Sequence, residues 1–149
     1  IEVRACDGMS TLPELAAVAA LVQVLVEHFS RELDAGRELP VLQPWFVREN
    51  KWRAARYGTD ARVIVNAQGT QRPVAEHLRE TLAQLAPVAE ELHCAREFAF
   101  VERILDQGGS SARQLLVADA ADGDLREVVA HLIREFRAGP DRHDELAGL

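Results

Sequence analysis

The longest apolar run in the sequence, LAAVAALVQVLV (Leu15–Val26), restricts the fold more than any other feature. It is shorter than the roughly 20 residues that span a bilayer and leads directly into charged residues, so it predicts a buried helix. We expect this helix to run from about Pro13 to Ala35, with a serine or threonine of the preceding DGMSTLPE as its N-cap and Gly36 as its stop. A chain of 149 residues is long enough to bury a sizeable core.

The rest of the chain predicts more helices and one small hairpin. After the proline-containing connector RELPVLQP, a second helix is expected over WFVRENKWRAARYG, ending at Gly58. The β-branched run Val63–Val65, followed by NAQG, predicts a hairpin. From there on the apolar spacing is helical. One helix is expected to begin at Pro73, with a restart at Pro87, and another to run from Ala95 to Leu105. A further helix is expected from a cap at Ser110 or Ser111 through Val117, and the last one after a cap at Asp124.

The first seven residues form a separate pattern. Glu2, Arg4 and Cys6 alternate with apolar residues, and this period of two is typical of a strand with one apolar face. A strand needs hydrogen-bonding partners, and the chain offers at most the small hairpin. We therefore expect an α+β fold, predominantly helical, with one N-terminal strand and a small hairpin. Residues 1–137 would be the C-terminal portion of a larger domain whose sheet lies mainly upstream, and residues 138–149 a polar tail.

Composition limits the partners and the compartment. The formal net charge is −7 and the isoelectric point is about 5.2, which disfavours nucleic acid and anionic membranes as partners. The two cysteines are far apart, which favours reduced thiols and a cytoplasmic location. The five histidines are scattered and predict no zinc site.

Glu2 and Arg4 are the first pair that could perform chemistry. Same-face neighbours on a strand lie about 6.5–7 Å apart, a separation that suits a carboxylate on Mg²⁺ and a guanidinium on a phosphate oxygen. The alternative is a solvated edge strand with a surface ion pair, worth less than about 1 kcal/mol. These two residues alone favour the ion pair.

The segment RENKWRAARYG is the second candidate. It carries four basic residues and one acidic residue between Arg48 and Arg56, in a chain that is acidic overall. On a helix, Asn50, Arg53 and Tyr57 share a face, while Arg56 shares another with two tryptophans. Such a helix suits an anionic small molecule. A solvated cationic face, or an internal partner for the acidic helices, is an equal alternative.

Two further features predict no function. GGSSARQ is too short a glycine motif to indicate phosphate binding, and its serines are adequate helix caps. Cys94 follows His93 without a third partner, which favours a buried or idle thiol.

Two blocks of the sequence resemble a known family. They are IEVRACDGMSTLPELAAVAALVQVLV and PWFVRENKWRAARYGTDARVIV, and they look like the C-terminal half of the carboxylate–amine ligases, which include the type 2 glutamate–cysteine ligases. The resemblance continues through the later helices to about residue 137. The EVRACD and ENKWRAARYG segments are its specific parts.

The resemblance implies a glutamine-synthetase-like catalytic fold that binds Mg²⁺, ATP and amino-acid substrates. Such ligases phosphorylate a carboxylate with Mg-ATP, and an amine then displaces the phosphate. Carried over by position, Glu2 is a metal ligand and Arg4 contacts the transferred phosphoryl group. Asn50, Arg53 and Arg56 would lie on a helix near the substrate carboxylates.

The sequence also departs from the family pattern. The other metal-binding carboxylates of the family, in a G-x-E-x-E type pattern, and its histidine-containing strand have no counterpart here. We therefore expect this chain to be inactive alone and to need the N-terminal part of the same protein; a homo-oligomer remains an option.

The alternative function is a non-catalytic helical interaction domain that docks an acidic partner. A ligase requires Glu2, Arg4 and the Asn50/Arg53 face to converge on one open cleft, whereas an interaction domain would leave them apart or mutually satisfied.

Overall fold

The computed structural model describes residues 8–138, and within that range the chain folds into helices and one small hairpin. Two helices precede the hairpin and four follow it, with a single 3₁₀ turn at Gly58–Asp60 before the first strand. The elements in chain order are α1 Leu12–Asp34, α2 Pro44–Tyr57, β1 Arg62–Ile64, β2 Gln71–Pro73, α3 Val74–Glu91, α4 Ala95–Gln107, α5 Gly109–Ala120 and α6 Leu125–Ala138.

The long helix predicted from the apolar run is confirmed, and its bounds differ from the prediction by one residue at each end. Thr11 is the N-cap, and its side-chain oxygen accepts a hydrogen bond of 3.3 Å from the backbone N–H of Glu14. Pro13 lies in the first turn, where a missing N–H costs nothing. Gly36 follows the helix with a φ of +71°, a conformation that glycine adopts easily.

The core lies between α1, α3 and α4. Ala17, Ala20 and Val24 are buried along one face of α1 at helical spacing, and two of these three are alanines. Small side chains let neighbouring helices approach closely, and larger ones from α3 and α4 then fill the space. The buried residues contributed by α3 and α4 are Leu82, Leu85, Ala89, Phe98, Phe100 and Val101.

Helix α1 is also long and apolar enough to cross a membrane, judged by length and composition alone. Its most apolar window has a mean hydropathy of 1.5, and 28% of that window is buried. Core helices of globular proteins meet the same test. Here Ala17 and Val24 are fully buried and belong to the core shared with α3 and α4.

The predicted hairpin is confirmed. Strands β1 and β2 pair antiparallel, with Val63 opposite Arg72 at the centre. The side chain of Asn66 organises the turn, because its Oδ1 accepts from the backbone N–H groups of Gln68 (3.1 Å) and Thr70 (3.0 Å). Gly69 completes the turn at a φ of +81°.

The expected break at Pro87 is wrong. Pro87 lies inside α3, which continues through it to Glu91. A proline in a helix removes one backbone hydrogen bond, but Leu85 and Ala89 on either side of it are buried in the core and hold the helix together across that gap.

The predicted helix caps have mixed outcomes. Neither Ser110 nor Ser111 caps α5, because this helix begins at Gly109 and Gly108 occupies the N-cap position in a left-handed conformation. Ser110 instead hydrogen-bonds Ser10, just before α1. The Asp124 cap is confirmed, since its Oδ1 accepts a hydrogen bond of 2.9 Å from the backbone N–H of Arg126.

A predominantly helical chain with a small antiparallel hairpin is therefore confirmed. The expected strand over residues 1–7 and most of the expected tail lie outside the described residues. The glutamine-synthetase-like architecture and the division at residue 137 stay predictions.

Candidate functional site

Asn50 on α2 is hydrogen-bonded to the backbone of β1. Its side-chain amide donates to the carbonyl oxygen of Ile64, and its side-chain oxygen accepts from the N–H of the same residue, both at 2.8 Å. Asn50 thus pairs with β1 much as a neighbouring strand would. The amide that was predicted to contact substrate holds the hairpin against α2 in this structure.

Arg53 lies on the same face of α2 and also contacts the hairpin. Its Nε donates to Glu49 at 2.8 Å, an i,i+4 pair within the helix. Its Nη1 donates to the carbonyl oxygen of Arg62 at 3.1 Å and to the side-chain oxygen of Gln71 at 2.8 Å. The guanidinium therefore joins α2 to both strands.

The remaining face of α2 is basic, aromatic and exposed. Arg56 is exposed and makes no hydrogen bond or ion pair within residues 8–138. Trp45 and Trp52 have 55% and 57% of their surface exposed, and Trp52 meets Tyr57 edge to face at 6.0 Å. The face that includes Arg56 is the part of α2 open to a ligand.

The three predicted residues of α2 therefore do not form one open group. Asn50 and Arg53 face the hairpin and form hydrogen bonds with it, whereas Arg56 faces outward. Glu2 and Arg4 lie outside the described residues. The catalytic and substrate-binding roles of all five residues stay predictions.

A second polar group, which the sequence did not predict, joins three helices. Arg113 on α5 donates to Glu14 on α1 at 2.6 Å and to Glu135 on α6 at 2.9 Å. The Glu14 side chain is 6% exposed and that of Glu135 is 13% exposed, so the ion pairs are largely shielded from water. We call Glu14, Arg113 and Glu135 the triad.

The triad is incompletely hydrogen-bonded among the described residues. Glu14 Oε2 and Arg113 Nη1 are buried without a hydrogen-bond partner, and so is Nε2 of His131, which lies 3.6 Å from Glu135. A buried polar atom without a partner typically costs about 1–3 kcal/mol, and more when it is charged. Such atoms are uncommon in folded proteins.

A cavity of about 260 Å³ adjoins the triad. Its walls combine the three charged side chains with apolar surface from Pro13 and Phe100. Gln107, the exposed last residue of α4, also lines it. The N-terminus of α1 borders the cavity as well, because Thr11 is both its N-cap and a lining residue.

The electrostatics of the triad keep Arg113 charged. Burial lowers the pKa of Arg113, but the hydrogen bonds that its guanidinium donates to Glu135 and Glu14 outweigh this effect, so that the pKa is raised overall.

Other chemical groups in the described part of the chain are less suited to a site. Burial, assisted by nearby Glu97, raises the pKa of the Cys94 thiol, which leaves little reactive thiolate at neutral pH. Between residues 8 and 138 no cluster of three or more His, Cys, Asp or Glu side chains could hold a metal ion.

Comparison with known proteins decides the family. The family model described as glutamate–cysteine ligase family 2 matches residues 1–131 of this chain. The chain belongs to glutamate–cysteine ligase family 2.

Named relatives agree with this family. A protein of Paenarthrobacter aurescens with the provisional name glutamate–cysteine ligase 2-2 is 51% identical over 141 residues, which are 95% of this chain and 37% of the relative. A provisionally named glutamate–cysteine ligase 2 of Leifsonia xyli is 54% identical over 93% of this chain and 37% of its own length. A provisionally named glutamate–cysteine ligase 2-1 of Mycolicibacterium smegmatis is 54% identical over 91% of this chain and 36% of its own length.

The chain thus spans a little over a third of the length of these curated relatives. No solved structure matches it. The glutamate–cysteine ligase family 2 match includes the positions of Glu2, Arg4, Glu14 and Arg113, and it ends before Glu135.

The triad was missed because its members carry ordinary local signals. Glu14 is a favourable acidic residue in the first turn of a helix, and Arg113 lies in a segment that predicted only helix caps. Glu135 offered the one usable signal, because it lies between Leu132 and Phe136 in the apolar stripe of α6. A charge that is buried within such a stripe needs a partner of opposite charge.

Proposed function

We propose that this chain is the C-terminal part of an ATP-dependent carboxylate–amine ligase of the glutamate–cysteine ligase type. The observation that carries the proposal is membership of the family over residues 1–131. Relatives about half identical to this chain carry the corresponding provisional names. We infer a cytoplasmic enzyme that needs the rest of a family-length protein, meaning a protein of the relatives' length that carries this chain.

In the proposed reaction, ATP supplies the phosphoryl group that activates a carboxylate, and Mg²⁺ supplies positive charge at the phosphates. A carboxylate oxygen attacks the γ-phosphorus, ADP leaves, and an acyl phosphate forms. The amine then attacks the acyl carbon and expels inorganic phosphate, with loss of a proton from nitrogen. The chain's own Arg4 would stabilise negative charge on the phosphoryl group, and Glu2 would be one ligand of the metal.

The structure limits what α2 contributes to this proposal. Asn50 and Arg53 position the hairpin, and Arg56 is the residue of the predicted substrate group that is open to a carboxylate. We therefore assign direct substrate contact on α2 to Arg56. Asn50 and Arg53 would act through the hairpin that they hold.

Phosphate release by the family-length protein tests the proposal. Release from Mg-ATP is expected to require a carboxylate substrate and an amine together, with glutamate and cysteine as the first pair. Glu2→Gln and Arg4→Ala are expected to lower kcat at least a hundredfold, because each removes charge stabilisation at the phosphoryl group.

A matched pair of controls is available around the C-terminal end of α1. Glu32 and Arg37 form an exposed ion pair with contacts of 2.5 and 2.6 Å, and Glu32→Gln and Arg37→Ala repeat the same chemical changes there. These controls should keep normal turnover. Near-normal turnover in folded Glu2→Gln and Arg4→Ala would refute the assigned roles, and phosphate release without any acceptor pair would refute the ligase.

A second candidate function is a helical interaction domain that docks an acidic partner. The observation in its favour is the outward face of α2, where Arg48, Lys51 and Arg56 are exposed together and make no ion pair within residues 8–138. A fluorescent deca-glutamate peptide is a suitable probe. This function predicts binding that salt weakens and that the triple alanine variant abolishes, in a family-length protein without ligase activity.

A further inference from the structure

Helix α6 carries an apolar stripe that stays exposed among residues 8–138. At 3.6 residues per turn, five apolar side chains of α6 fall within about 100° of one another around the helix. Four of them have between 46% and 70% of their surface exposed, and Leu132 is half-buried. This exposed stripe consists of Leu125, Val129, Leu132, Ile133 and Phe136. A contiguous exposed apolar surface of this kind marks a place where another part of a protein packs.

One end of the exposed stripe borders the place where residues 1–7 join the described fold. A cavity of about 410 Å³ is lined both by Gly8 and Met9 and by two members of the stripe, Leu132 and Phe136. Gly8 is the first described residue of the chain. The segment before Gly8 therefore meets the described fold beside the C-terminal end of the stripe.

Residues 1–7 match the exposed stripe in pattern and in length. Ile1, Val3 and Ala5 are the apolar positions of the segment, and same-face neighbours on an extended chain are about 6.6 Å apart. Positions four residues apart on a helix are separated by about 6 Å along its axis. Seven extended residues span about 20 Å, and the stripe from Leu125 to Phe136 spans about 17 Å. The segment is therefore long enough to cover the whole stripe.

We propose that the exposed stripe of α6 is the docking surface for residues 1–7, which pack Ile1, Val3 and Ala5 against it. Since Gly8 lines the cavity beside Phe136, Ala5 lies nearest to that end of the stripe. Val3 then falls opposite Val129, near the middle of α6.

Docking by this face determines where the alternate side chains point. Successive side chains of an extended chain lie on opposite sides, so Glu2, Arg4 and Cys6 face away from α6. In that direction Glu2 and Arg4 are open to the metal and the phosphoryl group of the proposed reaction. This consequence for catalysis rests on the proposed function, whereas the docking itself does not depend on it.

Cross-linking in the family-length protein tests the docking. Val3→Cys and Val129→Cys are introduced together, and a short bis-maleimide joins neighbouring thiols. We expect the main product to link positions 3 and 129. Native Cys6 is an internal control, because it lies on the opposite side of the segment, and its link to position 129 should be at least tenfold less abundant. Trypsin cleaves after Arg4 and so separates positions 3 and 6, which lets mass spectrometry assign each link.

Each other occupant of the exposed stripe gives a different product. A dominant link between Cys6 and position 129 would place the opposite side of the segment on α6 and overturn the proposal. A link between positions 129 of two molecules would assign the stripe to a second copy. Protection of position 129 from maleimide without a link to position 3 would assign it to another part of the family-length protein. Free reaction of position 129 would leave the stripe uncovered, and each of these results overturns the proposal.

A second pair of positions protects the test against misfolding. If the first double variant does not fold, Ala5→Cys with Phe136→Cys repeats the experiment nearer to Gly8, and absence of that link in folded protein overturns the proposal. Phosphate release is measured on the same samples. A link without phosphate release by the parent would refute the ligase and leave the docking standing, and normal release without a link would do the reverse.

A charge within the exposed stripe gives an independent measurement. Val129→Asp is expected to lower the thermal midpoint of the family-length protein by at least about 3 °C, because the carboxylate would be buried against Val3. Arg134→Asp places the same residue on the opposite side of α6, at an exposed position, and should leave the midpoint nearly unchanged. Equal midpoints for the two variants would contradict the docking.

Discussion

At the scale of single residues, polar side chains that the sequence marks for ligand contact also make the fold. Asn50 supplies β1 with the two hydrogen bonds that a further strand would otherwise provide. Arg53 reaches the backbone of one strand and the side chain of the other. Their residue types fit a substrate site equally well, so the pattern alone could not separate the two uses.

Asn50→Ala is expected to lower the free energy of unfolding by about 2 kcal/mol, because it leaves the N–H and C=O of Ile64 without their partners. Chemical denaturation monitored by circular dichroism measures the change. Lys51→Ala on the exposed face should stay within about 0.5 kcal/mol of the parent. Unchanged stability together with a raised KM for an amino-acid substrate would instead favour direct contact by Asn50.

A surface ion pair gives a dependence on pH. The hydrogen bond from Arg72 holds the pKa of the Glu80 carboxyl below its ordinary value. Its contribution to stability is complete above the unfolded pKa of about 4.3 and is lost as the pH falls through the lower folded pKa. We expect wild type to be more stable than Glu80→Gln at pH 7 and the difference to shrink at pH 3.

Denaturant midpoints at the two pH values measure this difference. Glu90→Gln, at an exposed position on the same helix, should keep a denaturant midpoint close to that of wild type at pH 7. Added salt should reduce the difference at pH 7, since exposed pairs are screened. A difference that grows as the pH falls would contradict the assigned pair.

At the scale of elements, local signals predicted the helices and the hairpin well. Gly36 and Gly58 end helices where expected, and the Asn66 turn joins two short strands. One error arose because tertiary packing outweighed a local preference at Pro87. The other arose because Ser110 hydrogen-bonds Ser10, which is 100 residues away in the sequence. Neither the packing around Pro87 nor the contact of Ser110 can be predicted from the neighbouring sequence.

Pro87→Ala is expected to stabilise the chain by about 2 kcal/mol. Proline in a helix interior costs about 3 kcal/mol relative to alanine, and part of this is offset because proline also restricts the unfolded chain. Pro87 is exposed, so the change disturbs no core contact. Ala86→Ser, at the exposed neighbouring position, should lower stability by roughly 0.5 kcal/mol, because serine has a lower helix propensity than alanine. A loss of stability in Pro87→Ala would show that the proline ring makes a favourable contact.

At the scale of the whole molecule, the last two helices are attached differently from the rest. The core is shared by α1, α3 and α4, and α5 and α6 contribute no buried residue among those described. Arg113 links both helices to α1 through Glu14 and Glu135. Large apolar side chains on these two helices stay exposed, among them Leu115, Leu116, Leu125 and Phe136.

The sequence predicted the family but not the site that the described residues build. The family could be predicted because the two distinctive blocks that indicate it are runs of neighbouring residues. The triad joins residues 14, 113 and 135, and contacts between such distant positions depend on how the helices pack. The roles of Glu2 and Arg4 stay predictions.

Transfer of oxygen from substrate to phosphate is the most direct test of the central claim, that this chain belongs to a ligase acting through an acyl phosphate. The family-length protein would receive Mg-ATP, cysteine and glutamate labelled with ¹⁸O in its side-chain carboxylate, and mass spectrometry would analyse the released phosphate. We predict one ¹⁸O atom in each phosphate, because the carboxylate oxygen that attacks phosphorus leaves with it. Formation of the amide with unlabelled phosphate would contradict the account.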